Sequence, residues 1–382
     1  MPPTTNLQLL TSGLRVGFDA KRAFNNATGL GNYSRFVINA LIRLFPQHEY
    51  FLFTPSVKPE YEHFYPESNR VKLITPESFL GKQFSTLWRT YAIADMCKEL
   101  NLDVFHGLSN ELPAGIEVFK GKKVVTIHDL IFMRYPAYYN NIDRYIYTKK
   151  FKRACEQADL VLAASKQTQQ DIEHYFGTPA SRIRVGYQNC DERFAVKATE
   201  ETKQQIRRSY FLPDQFILCV GTIEQRKHQL TVLKAFHQLQ AKDLKLVFIG
   251  KQTDYAEQLH SYILQHNISS EVVFLQQIPS VDLPVLYQLA SCFVYASEFE
   301  GFGIPLLEGM RSNIPVIAAN ASSLPEVGGT AVSYFNPGEV NELVVCMKEA
   351  LSKPVNTEQY ERQTNLFDTH KLIAELESLY RS

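Results

Sequence analysis

Short runs of continuous apolar residues alternate with longer stretches in which apolar positions recur every three or four residues. Residues 14–18, 49–54, 103–106, 123–127 and 160–164 belong to the first kind. Their spacing predicts parallel strands buried on both faces. Residues 32–44 and 86–100 carry the helical period between them. This alternation predicts an α/β chain with doubly wound sheets. The pattern then restarts. Residues 215–220, 244–249, 271–275, 292–295 and 315–318 predict a second set of strands, with helices at 230–239 and 255–266. The expected architecture is two Rossmann-like domains whose parallel sheets face a central cleft, the first at 1–190 and the second at 191–360. The tail, 361–382, has an amphipathic pattern suited to a helix packing back on the first domain.

The chain has 382 residues, too many for one ordinary core. Forty basic and forty acidic side chains leave no net charge, which argues against bulk attraction to nucleic acid. The six cysteines are scattered, with no CxxC pair and no Cys/His cluster at metal-ligand spacing. The first residues, MPPTTNLQLLTSG, lack the basic start and apolar run of a secretory signal. No run reaches the roughly 18 apolar residues of a spanning helix. A cytoplasmic protein is expected, touching the inner face of a membrane peripherally if at all. No basic amphipathic helix stands out in the pattern.

Four segments carry candidate chemistry. EGFGIPLLE at 300–308 sets Glu300 and Glu308 across a glycine turn between a predicted strand and a helix. Gly301 and Gly303 let backbone amides approach a ligand closely, and a helix N-terminus favours phosphate. On the glycines alone, an ordinary βα turn with two solvated carboxylates is favoured. VGTIEQRKH at 220–228 follows a strand too. Gly221 opens that turn, and Arg226 and Lys227 offer adjacent charges to a diphosphate, or simply to water. ATGLGNY at 27–33 opens a helix, with Gly29 and Gly31 facing a phosphate or acceptor, and a plain glycine turn competes equally. TIHDL at 126–130 puts His128 and Asp129 at the carboxyl edge of a sheet, where ligands bind in open α/β folds. His106 ends another strand and suits either lining the cleft or filling a polar layer, while Ser165 reads as a helix N-cap. The aromatic residues of 135–147 suit either sugar stacking or plain packing.

Taken in order, TGLGNY, TIHDL, AASKQT (163–168), VGTIEQRKHQ, ASEFEGFGIPLLEGM (296–310) and PVIAANASSLPEVGG (315–329) resemble the retaining glycosyltransferase family 4, which has the GT-B fold. The resemblance runs from the first strand to about residue 351. It implies that Glu300 binds the donor sugar and Glu308 the nucleotide ribose. Backbone at Phe302, Gly303 and Ile304 would meet the sugar and phosphates. Arg226 and Lys227, beside Gly221, would hold the diphosphate, and Gly29 and Gly31 would face phosphate and acceptor. His128 would lie near the transferred sugar, with Asp129 toward the acceptor. His128, Arg226, Lys227 and Glu300 are the implied catalytic set.

Two segments depart from the family pattern. Gln225 and His228 flank the basic pair where proline and asparagine are common, and GYQNC at 186–190 replaces a PNG-containing linker. No DxD motif ends a strand, so a metal-independent enzyme with no cofactor is expected. The resemblance implies transfer of a hexose from a nucleoside diphosphate sugar to a saccharide or lipid-linked saccharide, with retention. Domain closure would exclude water. GDP-mannose is the leading donor. The alternatives are a UDP-sugar-dependent transferase, a nucleotide-sugar epimerase of the same shape, and a non-catalytic sugar-nucleotide-binding protein.

Overall fold

A computed structural model describes residues 12–76 and 85–382, so most of the N-terminal stretch read above for a signal lies outside the described residues. Two compact units emerge. One comprises the described residues up to 188 together with 369–382, the other residues 189–368.

Among the described residues the first unit holds seven parallel strands: β1 (Arg15–Asp19), β2 (Glu49–Phe53), β3 (Val71–Ile74), β4 (Val104–Gly107), β5 (Lys122–Ile127), β6 (Leu160–Ala163) and β7 (Ile183–Val185). They lie in the order β3-β2-β1-β4-β5-β6-β7. The second unit holds β8 (Gln215–Val220), β9 (Leu244–Ile249), β10 (Val272–Leu275), β11 (Cys292–Tyr295), β12 (Val316–Ala319) and β13 (Ser333–Phe335), ordered β10-β9-β8-β11-β12-β13. Each order grows outward from two central neighbours, β1 beside β4 and β8 beside β11. Connections leave these two neighbours toward opposite sides, which opens a crevice at their carboxyl ends. The expected doubly wound class is therefore present twice.

Strands β3, β7 and β13 are additions to the strands expected from sequence. Each is short and stands at or beside a sheet edge, so its side chains are only partly covered. Lys72 and Leu73 of β3, Arg184 of β7 and Ser333 of β13 are exposed. Such strands lack the continuous apolar run that marks a central one.

Helices named below are α1 (Gly29–Leu44), α2 (Ser85–Glu99), α3 (Asn141–Gln157), α4 (Gln229–Leu239), α5 (Ile304–Arg311) and α6 (Thr369–Arg381). Helix α1 buries Tyr33, Val37, Ile38 and Leu41, a stripe at helical spacing. Its start is fixed locally. The Asn26 side chain accepts from both the amide and the hydroxyl of Thr28, at 2.7 Å each. Gly31 then passes so close that a Cβ there would lie 1.9 Å from the Asn26 carbonyl oxygen.

The tail contains two helices, Thr357–Thr364 and α6. Helix α6 belongs to the first unit. Ile373, Leu376 and Tyr380 join the core built by β1, β2, β4 and α1. Two buried histidines fasten it. His48 meets Glu377 at 3.1 Å, and His106 meets the Tyr380 hydroxyl at 2.6 Å. Truncating a core side chain of this helix loses buried area and leaves a cavity. Ile373→Ala should therefore lower stability by about 2–4 kcal/mol, read as a lower urea midpoint by tryptophan fluorescence and circular dichroism. An unchanged midpoint would show that α6 is dispensable to the first unit.

Candidate functional site

Two loops leave the adjacent strands β8 and β11 at their carboxyl ends, and the candidate residues of the second unit lie on them. After β8 the chain turns through Gly221, whose φ of +134° disfavours any residue with a Cβ. A short 3-10 turn, Gln225–Lys227, then leads into α4. After β11 the chain runs through Ser297 to Glu300, and α5 starts behind Gly303 at φ +113°. Pro305 occupies the first turn of α5, where its missing N–H costs nothing.

The two loops meet in one ion cluster. Glu300 Oε1 accepts from Lys227 Nζ at 2.6 Å and from Arg226 Nη1 at 2.8 Å. Lys227 Nζ also donates to the Tyr295 hydroxyl at 2.7 Å and lies 4.7 Å from the centre of that ring. Arg226 spreads its guanidinium over Glu224, at 2.5 Å, Ser297 and the Phe299 carbonyl. Backbone bonding ties the loops as well, the Glu298 amide donating to the Arg226 carbonyl at 3.0 Å.

Burial pushes the Glu300 carboxyl up, but the charges and hydrogen bonds of Lys227 and Arg226 outweigh it and hold the group well below the carboxylate range. Burial lowers the Lys227 ammonium more than Glu300 restores it. Arg226, also desolvated, is held up by Glu300 and Glu224. Two fixed cations thus stand beside one fixed anion, a set suited to an anionic ligand with hydroxyl groups next to its charge.

Glu308 faces a different environment on the second turn of α5. Its Oε2 accepts from the Tyr287 hydroxyl at 2.8 Å. Burial pushes its carboxyl up, the Tyr287 hydrogen bond opposes this, and the charge of Asp191 adds to it, leaving the group at about 7. Phe302 is buried with its ring 5.5 Å from Phe367, so only its backbone can serve a ligand. Ser323 Oγ donates to the carbonyls of Glu300 and Phe302, at 2.9 and 2.6 Å, and Ser322 Oγ accepts from the Glu300 amide at 2.9 Å. These two serines set the shape of the glycine turn. The Glu298 carboxylate meets His228 at 3.5 Å.

The first unit's candidates lie at its own carboxyl edge. His128 is buried, with Nε2 bonded to the Leu108 carbonyl at 2.8 Å and its ring set edge-on to Tyr33 at 4.7 Å. Burial lowers it to about 4, against the help of the Leu108 carbonyl, so the imidazole is neutral near pH 7. Asp129 Oδ1 accepts from the Ile131 amide at 3.2 Å and turns the chain after β5. Gly29 opens α1 with nothing near the position of a Cβ, whereas Gly31 is held by its contact with Asn26. His106 is wholly buried between Tyr380 and Thr126, a polar layer inside the unit. Ser165 caps the helix Lys166–Phe176, accepting from the Thr168 amide at 3.1 Å. The aromatics of 135–147 divide. Tyr139 and Tyr147 pack edge-on against Phe132, while Tyr135 and Tyr138 stack on each other at 5.8 Å.

Two family models match the chain in tandem. "Glycosyltransferase Family 4" takes residues 27–189 and "Glycosyl transferases group 1" takes residues 202–365. This chain belongs to the family 4 glycosyltransferases. The O-antigen chain mannosyltransferase B of Escherichia coli is 29% identical over 65% of this chain. The chain spans 65% of that relative's length, just under two thirds. Two solved structures share the GT-B fold. A glycosyltransferase from Rickettsia africae ESF-5 superposes with a TM-score of 0.75 at 16% identity, over 97% of this chain and 98% of its own. Anabaena Alr3699/HepE, solved with UDP and glucose, gives 0.71 at 17%, over 96% and 99%.

For this family 4 chain, several site residues carried no local signal in sequence. Tyr295 ends a strand whose apolar run hides its hydroxyl. Tyr287 lies 21 residues before Glu308 and meets it only through the fold. Ser322 and Ser323 stand in a segment singled out above as a motif, but their carbonyl and amide partners appear only in three dimensions.

The raised Glu308 carboxyl makes stability depend on pH in a defined direction. The folded chain keeps a proton that the unfolded chain releases, so stability falls as pH rises from the ordinary carboxyl range to about 7 and levels off above it. Glu308→Gln removes this contribution. Its stability relative to the parent should rise by roughly 1–3 kcal/mol between about pH 5 and about pH 8, read from urea midpoints. A difference that stays constant or shrinks would contradict a proton held on Glu308.

Proposed function

We propose that the protein transfers a hexose from a nucleoside diphosphate sugar to a hydroxyl of a saccharide or lipid-linked saccharide. The observation that carries this reading is the cluster of Arg226, Lys227 and Glu300 at the ends of β8 and β11, with Glu308 following in the second turn of α5. Arg226 and Lys227 would bind the diphosphate. Glu300 would then exchange their hydrogen bonds for those of sugar hydroxyls, and Glu308 would accept from the ribose diol. Gly221 and the start of α5 at Gly303 and Ile304 let backbone approach the phosphates. The first unit would take the acceptor, with His128 and Asp129 at its carboxyl edge and the glycine turn at Gly29 and Gly31.

The transfer proceeds with retention at the anomeric carbon. The bond from that carbon to the phosphate oxygen breaks, the acceptor oxygen bonds on the same face, and the acceptor proton passes to the leaving diphosphate. The charge that grows on the diphosphate is met by cations already in place, so little reorganisation is needed. Neutral His128 offers a hydrogen bond near the sugar without adding a charge. GDP-mannose is the donor we favour, supported by the relative named as an O-antigen chain mannosyltransferase. Assembly of a surface polysaccharide is the matching role.

Calorimetric titration and a transfer assay test this reading together. Lys227→Ala should weaken GDP binding by about 10- to 100-fold, the loss of a charge-assisted hydrogen bond. Glu300→Gln frees Arg226 and Lys227, so GDP affinity should hold or rise while hexose transfer falls at least about 10-fold. Unchanged affinity in the first variant, or unchanged transfer in the second, would remove the assignment. Binding of UDP with no binding of GDP would overturn the donor alone.

A further inference from the structure

Helix α3 presents a second apolar face to solvent. Its inner face, Tyr147, Phe151, Ala154 and Cys155, packs into the core of the first unit. The opposite stripe contains Ile142, Tyr145 and Ile146, exposed by 73%, 60% and 39%. It continues one turn later into Lys149 and Arg153. Lys152 flanks it on one side and Lys150 on the other. Tyr91 of α2, exposed by 64%, shares a cavity of about 170 Å³ with Lys150 and Arg153, so the face extends across both helices. Leu87 precedes Tyr91 by four residues and is exposed as well. The helical period hides this surface in sequence because apolar residues lie on both sides of α3.

We infer that this face of α2 and α3 docks on the surface of a membrane rich in anionic lipid. The chemistry fits in two ways. Isoleucines and tyrosines suit the boundary between headgroups and acyl chains, tyrosine keeping its hydroxyl in water. Lysine and arginine lay their stems along that boundary and reach lipid phosphates with their charges. Lys149, Lys152 and Arg153 make no ion pair among the described residues, whereas Lys150 is drawn to Glu111 at 3.3 Å. Lys149 instead stands over the Tyr145 ring at 4.4 Å. Glu156, on the same stripe, and Asp143 are the nearby carboxylates on α3, which keeps a surplus of cations. A second copy of the chain is disfavoured as occupant, because a two-fold contact would set these cations against their own equivalents. Among the described residues no helix is long and apolar enough to cross a membrane, so the contact is peripheral. The inference extends the lipid-linked acceptor of the proposed function, yet its test needs no donor, so either can fail alone.

The test is sedimentation of the full chain with vesicles of phosphatidylcholine, with and without about 30% phosphatidylglycerol, at low and high salt. Binding should require phosphatidylglycerol and weaken in high salt. The double variant Lys149→Ala with Arg153→Ala should bind about 25-fold more weakly, roughly fivefold for each charge. Ile142→Ser with Tyr145→Ser should also weaken binding, with GDP affinity unchanged. A control pair on the second unit, Val345→Ser with Lys348→Ala, should bind like the parent. Equal binding to both vesicle types, or patch variants that bind like the parent, would overturn the proposal. So would a dimer in light scattering that the patch variants dissolve.

Discussion

Arg226 and Lys227 reach Glu300, 74 and 73 residues further along the chain, only because β8 and β11 are neighbours in the sheet. That neighbourhood follows from the order β10-β9-β8-β11-β12-β13, in which successive strands spread outward from the central pair. A basic pair on one loop and a carboxylate on the other then face each other with most water removed. Alone, either the cations or the anion would be expensive to bury. Together they hold one another ionised in a fixed geometry. The function proposed for the second unit depends on this mutual support.

The surrounding residues each answer a problem this cluster creates. Gly221 and Gly303 provide the left-handed turns that let both loops stay short. Ser322 and Ser323 satisfy the amide and carbonyl of Glu300 and so fix its backbone. Tyr295 gives Lys227 a second acceptor, which leaves Glu300 shared rather than saturated. Glu308 differs because its partner is an uncharged hydroxyl. The same α5 therefore borders two carboxylates of opposite tendency, one held ionised and one held near neutrality. That contrast arises from neighbours alone, since both begin as ordinary glutamates.

The central strands were legible in sequence because burial on both faces leaves continuous apolar runs, and the helices near 32–44, 86–100, 230–239 and 255–266 because their apolar positions recur at the helical period. The edge strands β3, β7 and β13 were not, since exposure on one side dilutes that signal. The glycine turns and the basic pair could be picked out, and their places after strands pointed to a ligand edge. Pairing of Glu300 with both cations was not legible, because it depends on strand order. Gly31 looked like a ligand-facing glycine, while the structure also gives it a packing reason in the Asn26 carbonyl. Helix α3 was hidden by its own two-sidedness. The general lesson is that periodicity reports what is buried, whereas a site is made by what the topology brings together.

The claim on which this account rests is that Arg226 and Lys227 read a diphosphate. Comparing GDP with GMP by calorimetric titration of the unaltered protein tests it most directly. The second phosphate should add contacts to both cations, so GDP should bind at least about tenfold more tightly than GMP. Equal affinities would contradict the account, because a site that reads only the base and ribose would not need the ion cluster.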